Sequence, residues 1–517
     1  MPMQSTIFDL AATPLPSNVP AIRCEAHGDA WLRLAEKMRA AGSRLLTLWG
    51  TDDRDRDASF CIRAAWLTWE GVVVAEQRIA DAEDPSYPSL AELFPAASRL
   101  QRAVYDLLGV RANGADTRGW LRHSGWPENV FPLRRDFDAT KQDAADPEPY
   151  PFVPVEGDGV HEIAVGPVHA GIIEPGHFRF SVVGEKVLRL EERLGYTHKG
   201  VAKLFQTMRQ EDGHRLAARL SGDSAVAFSW AWCAAQEFLT QTACPPRATQ
   251  LRALALEHER LANHLGDLGA LGNDAGFAFG LTQFSRMKEH LLRANCEVFG
   301  ARYLMDYIVP GGVAQNLPQH AVGRLAALYP LLDEGTRAMR AIYDEHAGVQ
   351  DRFRGAGRLA RDCAEQRGAL GMAARASGIP CDLRVDHPWP PYDALQPRMV
   401  TGTTGDVAAR VQVRFDEILE SLRLCRSLLQ GLSHGPVCTE VLRWAPNRIG
   451  LGLIEGWRGP VMIAVETGAN GTIRSCHTHD PSVQNWPLLE HAILGNIVPD
   501  FPLINKSFNL SYSGQDG

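Results

Sequence analysis

The densest group of potential metal ligands lies near the end of the sequence, at Cys476, His477, His479 and Asp480. In a strand, His477 and His479 would share one face, and thiolate and imidazole are common ligands of transition metals. Two ligands on one strand do not complete a site. A surface loop rich in histidine is the simpler interpretation, and metal binding is the alternative.

A second group of titratable residues lies on one predicted helix: Glu257, His258, Glu259, Arg260, His264 and Asp267. Charges in such a pattern most often form a solvated face or i,i+4 pairs, which is the expectation here. Asp274 stands at the C-terminal end of the same helix, after Gly266, Gly269 and Gly272. A carboxylate beside flexible backbone suits a position that faces a ligand.

Three other patterns argue against dinucleotide binding, against a serine hydrolase and against a zinc or iron–sulfur site. The glycines at 450, 452 and 456 have the spacing G-x-G-x-x-x-G and no helix pattern follows, which does not fit a dinucleotide loop. Ser221 and Ser224 lack the G-x-S-x-G context of a hydrolase nucleophile. The ten cysteines include no C-x-x-C pair, so the usual spacing for zinc or an iron–sulfur cluster is missing.

The composition of the chain also disfavours a nucleic-acid-binding protein, a membrane-spanning protein and a secreted protein. The 517 residues include 53 Lys and Arg against 61 Asp and Glu, a net charge of −8, which disfavours nucleic acid as a partner. The longest apolar stretch, Ala225–Ala235, is interrupted by Ser229 and is much shorter than the roughly 20 residues that span a bilayer. The first residues lack the pattern of a secretory signal, so we expect a cytoplasmic protein.

The elements that must position these residues fall into two predicted domains. Residues 1–138 predict an α/β module, with strands at Leu45–Trp49 and Phe60–Val74 and a helix at Leu90–Leu108. Residues 139–159 carry four prolines and no helical period, as expected of a linker. Residues 160–517 predict a mainly helical domain.

This larger domain opens with a β-like stretch at Phe178–Leu190 and ends with strands at Arg448–Glu455 and Val461–Glu466. Between them, apolar residues at three- and four-residue spacing predict helices at Leu216–Leu239, Pro246–Leu271, Leu281–Phe299, His320–Ala347 and Val407–Leu432. The fold class is therefore α+β.

Several motifs in the larger domain resemble the large subunit of energy-converting nickel–iron hydrogenases and the related 49-kDa subunit of respiratory complex I. They are Gly166-Pro-Val-His169, Glu174-Pro-Gly-His-Phe-Arg179, Gly195-Tyr-Thr-His198, Glu257-x-x-Arg260-Leu-x-x-His264, Asp386-His-Pro388, Glu455-Gly-Trp-Arg-Gly459 and Ser507-Phe-Asn-Leu510. The first domain, through Arg102–Gly109 and Trp126–Phe137, is similar to the 30-kDa subunit of complex I. The same fusion occurs in the large subunit of formate hydrogenlyase. The resemblance implies that residues 1–138 are a docking domain.

The departures from these families bear on the chemistry. Where the hydrogenases have Arg-x-Cys-Gly-x-Cys, this sequence has Arg219-Leu-Ser221-Gly222-Asp-Ser224, and the C-terminal cysteine pair corresponds to Ser511 and Gly514. Soft thiolates hold nickel and iron, and neutral hydroxyls do not replace them. We therefore expect that the chain binds no nickel and no iron–sulfur cluster.

The resemblance to complex I also allows the quinone-binding positions of that family to be compared with this sequence. The two positions that match the quinone-binding tyrosine and histidine of that family are Gly222 and Pro175, so that pair is missing as well. The candidate cofactor-binding residues are those around the vacated metal site: Ser221, Gly222, Ser224 and Ser511. The candidate catalytic residues retained from the families are Glu174, which relays protons in the hydrogenases, with Asp274, Arg458 and His169.

Two functions follow from the resemblance. The first is a subunit, peripheral on the cytoplasmic face of the membrane, that passes electrons from an iron–sulfur partner subunit to a quinone-like or other acceptor. Proton movement at Glu174 and Asp274 would be coupled to membrane ion-translocating subunits, and any NAD chemistry would belong to another chain. The alternative is an inactive scaffold. A catalytic subunit should keep inward-facing titratable groups with shifted pKa values, whereas a scaffold should fill the site with apolar side chains.

Overall fold

The computed structural model describes residues 12–517 except 124, 139, 141–143, 147–148 and 170–172. The chain divides into two compact units, Met1–Pro149 and Tyr150–Gly517. The division falls inside the segment that the sequence predicts to be a linker, part of which lies outside the described residues. Each unit is described by itself.

The helices and strands of the first unit are β1 (Ala12–Pro14), β2 (Ala21–Glu25), α1 (Asp29–Ala40), β3 (Arg44–Asp52), α2 (Arg54–Asp57), β4 (Phe60–Thr68), β5 (Gly71–Ile79), β6 (Ser86–Pro88), α3 (Ala97–Leu108) and β7 (Arg111–Asn113). Five strands form a sheet in the order β1-β2-β5-β4-β3, in which only the β2–β5 pair is parallel.

The long apolar run after residue 60 is a hairpin of two strands and not a single strand. The chain reverses at Gly71, whose φ of +136° suits glycine, and a side chain there would meet the Pro20 carbonyl oxygen. Behind the sheet, Trp66 packs against Trp31 and Phe94 with ring centroids about 6 Å apart. The first unit thus has its own core.

The second unit contains β8 (Val160–Val165), β9 (His177–Val183), β10 (Lys186–Arg193), α4 (Val201–Phe205), α5 (Gly213–Ala217), α6 (Ala225–Thr240), α7 (Pro246–Asp274), α8 (Ala278–Phe299), β11 (Ile308–Val309), β12 (Gly312–Val313), α9 (Gln319–Glu345), α10 (Ala347–Phe353), α11 (Arg361–Gln366), α12 (Gly371–Ala376), α13 (Leu383–Asp386), α14 (Tyr392–Leu395), α15 (Val407–Gln430), β13 (Ile449–Glu455), β14 (Pro460–Thr467), β15 (Ile473–His479), α16 (Ser482–Ala492), α17 (Phe501–Phe508) and α18 (Tyr512–Asp516). The predicted α+β class is confirmed.

Helix α6 is the centre of this unit. It is apolar on nearly all sides, as expected of a helix buried among other elements, and it packs against α5, α7 and the antiparallel sheet β13-β14-β15. Gly450 and Gly452 allow this contact, because a Cβ at Gly452 would lie 1.8 Å from the Ala231 carbonyl oxygen. The glycines that resembled a phosphate loop are therefore strand residues that let the sheet approach the helix.

The helix predicted from Leu216 begins only at Ala225. The chain first forms a turn in which the Ser224 N–H donates to the Ser221 carbonyl oxygen at 3.0 Å. This turn presents residues 221–224 at the N-terminal end of α6, where the first backbone N–H groups have no partner within the helix. The interruption is the feature of the fold that builds the candidate site.

Candidate functional site

Two segments far apart in the sequence meet in one buried polar cluster. Ser221 lies in the turn before α6, and Ser511 lies directly before α18. Their hydroxyl oxygens are 2.8 Å apart, and both residues are buried. The Gly514 N–H donates to Ser511 Oγ at 2.9 Å, which caps α18. Two positions that the resemblance matches to opposite halves of the hydrogenase metal site are thus in direct contact.

Arg458 reaches this cluster from the turn after β13. Its terminal nitrogens donate to both carboxylate oxygens of Asp223 at 2.7 and 2.6 Å, and its Nε donates to the Asn509 carbonyl oxygen at 2.5 Å. Ser221 Oγ also donates to Asp223 Oδ1 at 2.8 Å. The hydroxyl pair and the ion pair therefore form one connected group. We call Ser221, Asp223, Arg458 and Ser511 the polar centre.

The ion pair sets the charges of the polar centre. Burial acts to raise the pKa of Asp223, but the Arg458 guanidinium and the Ser221 hydroxyl outweigh it, so the pKa lies below its usual range. Burial acts to lower the pKa of Arg458, and Asp223 raises it overall. The Asp223 side chain is 36% exposed, whereas that of Arg458 is 5% exposed. The centre is charged, and it meets solvent through Asp223.

Solvent reaches Asp223 from a cleft between α7 and α8. Gly222 and Asp223 line this cleft on one side, and Glu259, Lys288 and Tyr303 are among the residues on the others. Gly222 is exposed, which places this candidate residue at the cleft and outside the buried cluster. Asp223 meets solvent through this cleft.

Ser224 lies on the buried side. Its Oγ is 3.4 Å from both Asp223 Oδ1 and Arg458 Nη1, and the residue is 2% exposed. These contacts are longer than those of Ser221 and Ser511, so Ser224 is a peripheral member of the cluster. Three of the four candidate cofactor-binding residues are thus brought together.

Glu259 is the titratable group of α7 that borders the cleft. It is 6% exposed, and its carboxylate accepts from the Val226 and Ala227 N–H groups at 2.6 and 3.2 Å, at the N-terminus of α6. Burial raises the pKa of Glu259 to about 8 despite these hydrogen bonds. Glu259 can therefore exchange a proton near neutral pH.

Asp480 borders the polar centre at Gly514, where an added Cβ would lie 2.5 Å from Asp480 Oδ2 and 2.9 Å from Ser511 Oγ. It is 1% exposed, and its Oδ1 accepts from the Ser482 N–H at 2.8 Å at the start of α16. Burial raises the pKa of Asp480 overall, although Arg458 acts to lower it.

The segment 476–480, expected to be a surface loop, is mostly strand β15, and that expectation is wrong. In the described residues, no group of three histidine, cysteine, aspartate or glutamate side chains is arranged to hold a metal ion.

Glu174 touches the edge of the cluster. Its Oε2 accepts from the Ser513 N–H at 3.1 Å, and Ser513 Oγ is 3.5 Å from Ser511 Oγ. The His169 ring contacts the backbone, where its Nε2 lies 2.7 Å from the Gly176 carbonyl oxygen. Glu174 is therefore next to the polar centre, whereas His169 supports the loop that carries it.

Asp274 is placed apart from these residues. Its carboxylate pairs with Lys506 of α17 at 2.7 Å. The polar centre is instead joined to α7 through Asn509, whose side-chain amide donates to Asp267 at 2.6 Å. The described contacts thus give Asp274 an ion pair and give Asp267 the link to the cluster.

The charged group on α7 is not a solvated face. All six residues are buried, and Glu257, His258, Arg260 and His264 are each 0% exposed. Glu257 pairs with Arg384 at 3.0 Å, and His264 Nε2 lies 2.7 Å from Glu417. The expectation of a solvated face is wrong, because the partners come from distant segments whose position the helix pattern does not reveal.

Sequence reasoning did not assign three residues to the site. Asp223 was not singled out, Glu259 was named only as part of a charged helix face, and Asp480 only within a possible metal-binding group. A signal was present for Asp223, which stands between the two serines that replace cysteines. An acidic residue there, facing a retained arginine, favours an ion pair. Asp480 was noticed only as part of a histidine-rich group. The burial that makes it notable depends on the packing of α16 and α18.

Comparison with known proteins gives this arrangement its context. Residues 24–143 match the respiratory-chain NADH dehydrogenase 30 Kd subunit family, and residues 274–450 match the 49 Kd subunit family. Formate hydrogenlyase subunit 5 of Escherichia coli is 31% identical over 92% of this chain and 85% of its own length. The chain belongs to this family of fused subunits. It is thus a complex I-like and hydrogenase-like oxidoreductase subunit, which confirms the predicted resemblance.

Two further similarities extend the comparison. An NADH-quinone oxidoreductase subunit of Bacteroides thetaiotaomicron is 26% identical over 81% of this chain and 84% of its own length. A chain of the archaeal membrane-bound sulfane sulfur reductase shares the fold, with a TM-score of 0.66, 22% identity, and coverage of 71% of this chain and 100% of that one. Within the described residues, no helix is both long and apolar enough to cross a membrane.

Proposed function

We propose that this chain is a subunit of a membrane-bound complex in which electrons from a partner iron–sulfur subunit reach a quinone-like or other acceptor, coupled to proton movement. The chain works without a nickel–iron centre and without a cluster of its own. The family supports the setting, since its relatives are subunits of redox enzymes. The polar centre supports the proton chemistry.

The donor atoms of the site do not fit nickel. Three of the four matching positions hold hydroxyls, at Ser221, Ser224 and Ser511, and the fourth is Gly514, which has no donor side chain. Two of these hydroxyls also hydrogen-bond to each other at 2.8 Å. Nickel and low-spin iron in such centres need soft thiolates. We therefore derive no step through a metal.

The proposal rests on which side chains occupy the positions that match the metal site of the hydrogenases. A scaffold that had lost its chemistry could fill this volume with apolar side chains at no functional cost. Instead, the site contains Arg458 paired with Asp223, and the Ser221 hydroxyl donates to the same carboxylate. Charged groups kept at a position where apolar packing would serve favour retained function over an inert platform.

The chain's own residues can bind an acceptor and move a proton. The acceptor would bind at the mouth of the cleft beside Gly222, where the half-exposed Tyr303 can donate a hydrogen bond to a carbonyl oxygen. Asp223 faces this cleft and accepts from Ser221, so a proton can pass between the buried hydroxyls and a reduced acceptor. Arg458 holds Asp223 in place during this exchange.

The partners follow from the same proposal. An iron–sulfur subunit would supply electrons, membrane subunits would translocate ions, and the chain would sit on the cytoplasmic face. The first unit would be the docking domain, since its segment Trp126–Phe137 combines an aromatic residue, two prolines and the basic pair Arg134-Arg135. Deleting residues 1–138 should abolish co-purification with the iron–sulfur partner, whereas intact assembly of the shortened chain would exclude the docking role.

The decisive variant is Ser221→Ala in the complex purified from membranes. It removes the hydroxyl that joins Ser511 to Asp223, and it changes the volume little. We expect normal assembly and at least a tenfold loss of electron transfer to the acceptor, about 1.4 kcal/mol on the barrier. Ser229→Ala, at a buried serine of α6 outside the polar centre, is the matched control. Full activity of both variants would favour the scaffold.

A further inference from the structure

The segment between α8 and β11 covers the cleft beside the polar centre. Tyr303 and Leu304 line the cleft, and a Cβ added to Gly222 would lie 3.9 Å from the terminal carbon of Met305. Residues 300–307 lie in neither a helix nor a strand. The space left in the cleft is about 20 Å³, which holds one water molecule and not a quinone-like ring. An acceptor at the mouth of the cleft can therefore go deeper only if this segment moves.

The backbone of the segment is strained at its tip. Leu304 has a φ of +60° and Asp306 a φ of +62°, in the left-handed region. Aspartate tolerates this conformation, whereas a bulky residue such as leucine rarely adopts it. Leu304 is nevertheless 2% exposed. Because such strain persists only where surrounding contacts hold it, contacts with the rest of the unit must keep the tip in place.

An ion pair supplies such a contact at the tip. Both terminal nitrogens of Arg219 donate to the Asp306 carboxylate, at 2.6 and 2.8 Å. Arg219 lies just before Ser221, and it also donates to the Arg215 carbonyl oxygen at 2.7 Å. The Arg219 and Asp306 side chains are 46% and 39% exposed. Since water competes for an exposed pair, this contact can break and form again at little cost.

The ends of the segment are held more firmly. The rings of Phe299 and Tyr307 pack with centroids 4.9 Å apart, and both residues are buried. Gly300 ends α8 with a φ of +83°, which suits a hinge at that end. Arg302 pairs with Glu289 of α8 at 2.6 Å. The contacts thus fix both ends and leave the tip to the exposed ion pair.

We propose that residues 300–306 form a lid over the cleft, which the Arg219–Asp306 ion pair holds closed and which opens to admit the acceptor to the polar centre. The use of the lid for the acceptor rests on the proposed function, whereas its opening does not. In the closed state, Leu304 and Met305 cover the cleft beside Gly222. In the open state, Asp223 is accessible to a molecule larger than water.

A thiol placed under the lid tests the opening in the purified full-length chain. Ala262 of α7 lines the cleft and is 5% exposed, so Ala262→Cys supplies the reporter. Its alkylation by iodoacetamide is followed by peptide mass spectrometry, with the exposed Cys438 as the internal reference. Asp306→Asn removes the charge and keeps a residue that tolerates the left-handed backbone. We expect it to speed alkylation of the reporter roughly threefold.

The matched control is Glu297→Gln, which removes an ion pair of similar exposure, with Arg324. It should leave the alkylation rate unchanged. An unchanged rate in Asp306→Asn, or the same acceleration in both variants, would overturn the lid. If the reporter variant does not fold, hydrogen exchange gives the answer without it. The amides of residues 301–306 should exchange roughly threefold faster in Asp306→Asn than in the wild type, and equal exchange would overturn the lid.

A second measurement tests the use of the lid in the complex purified from membranes, with a short-chain ubiquinone analogue as the acceptor. If only the open form admits the acceptor, Asp306→Asn should raise kcat/KM for the analogue roughly threefold. An unchanged kcat/KM would exclude gating of the acceptor. If the wild-type complex does not reduce the analogue, the proposed quinone-like acceptor fails. The alkylation rates would still decide whether the lid opens, so the two failures can be distinguished.

Discussion

The second unit holds two buried polar regions that follow different rules. The first is the ion-pair network around α7, made of Glu257, Arg260, His264, Arg375, Asp382, Arg384, Glu417 and Glu455. Each of its carboxylate oxygens accepts at least one hydrogen bond. The second is the polar centre with Asp480, where one buried oxygen has no partner among the described residues and Asp223 is open to a cleft.

The two regions differ in how completely their carboxylates are paired and in their contact with solvent. The paired carboxylates of the network fix α7 against α13, α15 and β13. Burial and the Asp382 carboxylate nevertheless raise the pKa of Glu455 to about 7, although its own oxygens are hydrogen-bonded. In the region of the polar centre, one Asp480 oxygen has no partner among the described residues and Asp223 meets solvent, so its carboxylates are less completely paired than those of the network. Both regions meet at the turn after β13, where Arg260 donates to the Glu455 and Gly456 carbonyl oxygens just before Arg458.

Breaking the ion-pair network around α7 should have the largest effect on the free energy of unfolding. Arg375→Ala leaves Glu417 and Glu455 each without a cation that lies within 3 Å. Because uncompensated buried carboxylates are costly, we expect a loss of about 3–5 kcal/mol in the free energy of unfolding. Urea titration followed by tryptophan fluorescence measures it. The control is Arg361→Ala at an exposed pair with Glu365, which should cost less than about 1 kcal/mol. Equal losses in the two variants would contradict the contrast.

Glu259 lies on α7 between the two regions and should make stability depend on pH. Its pKa is raised to about 8 from the ordinary value of 4.5, so the folded protein holds a proton that the unfolded chain releases. This stabilisation is complete below the unfolded pKa and is lost as the pH rises through the folded pKa. We expect a loss of about 2–3 kcal/mol from this group between about pH 5.5 and 7.5. Glu259→Gln should flatten the profile, and an unchanged slope would show that the carboxyl is ionised throughout.

A substitution at Gly514 tests how tightly Asp480 and Ser511 pack in the region of the polar centre. Gly514→Ala should cost about 2 kcal/mol, since the new methyl group overlaps Asp480 Oδ2 and Ser511 Oγ. In the Asp480→Ala background, most of this cost should disappear, because the space is then free. Thermal unfolding of the four proteins in this cycle measures the coupling. Additive losses would mean that Asp480 does not occupy the space at position 514.

Glu174 should have the smallest effect on stability and a measurable effect on turnover. Glu174→Gln keeps an oxygen that can accept from the Ser513 N–H, so assembly should be unchanged. If Glu174 relays protons at the edge of the polar centre, electron transfer in the complex should fall at least tenfold, about 1.4 kcal/mol. Wild-type turnover in this variant would exclude Glu174 from the proton relay.

The sequence predicts the long helices well and the site only in part. Pro246 starts α7 as expected, and Val407 starts α15, because periodic apolar residues and a proline at the first turn are local signals. The burial of Glu257 and the isolation of Asp480 Oδ2 depend on partners 100 residues or more away or on packing between segments, which no local pattern encodes. Ser221 and Ser511 were predicted only through resemblance to metal-binding relatives.

The central claim is that a metal-binding site has become a polar, proton-handling site. Elemental analysis of the complex purified from membranes, combined with an assay of hydrogen-dependent dye reduction, tests this claim most directly. We predict no nickel and no hydrogen uptake, since Ser221, Ser224, Ser511 and Gly514 supply no thiolate. Stoichiometric nickel in this chain together with hydrogen-dependent dye reduction would contradict the account.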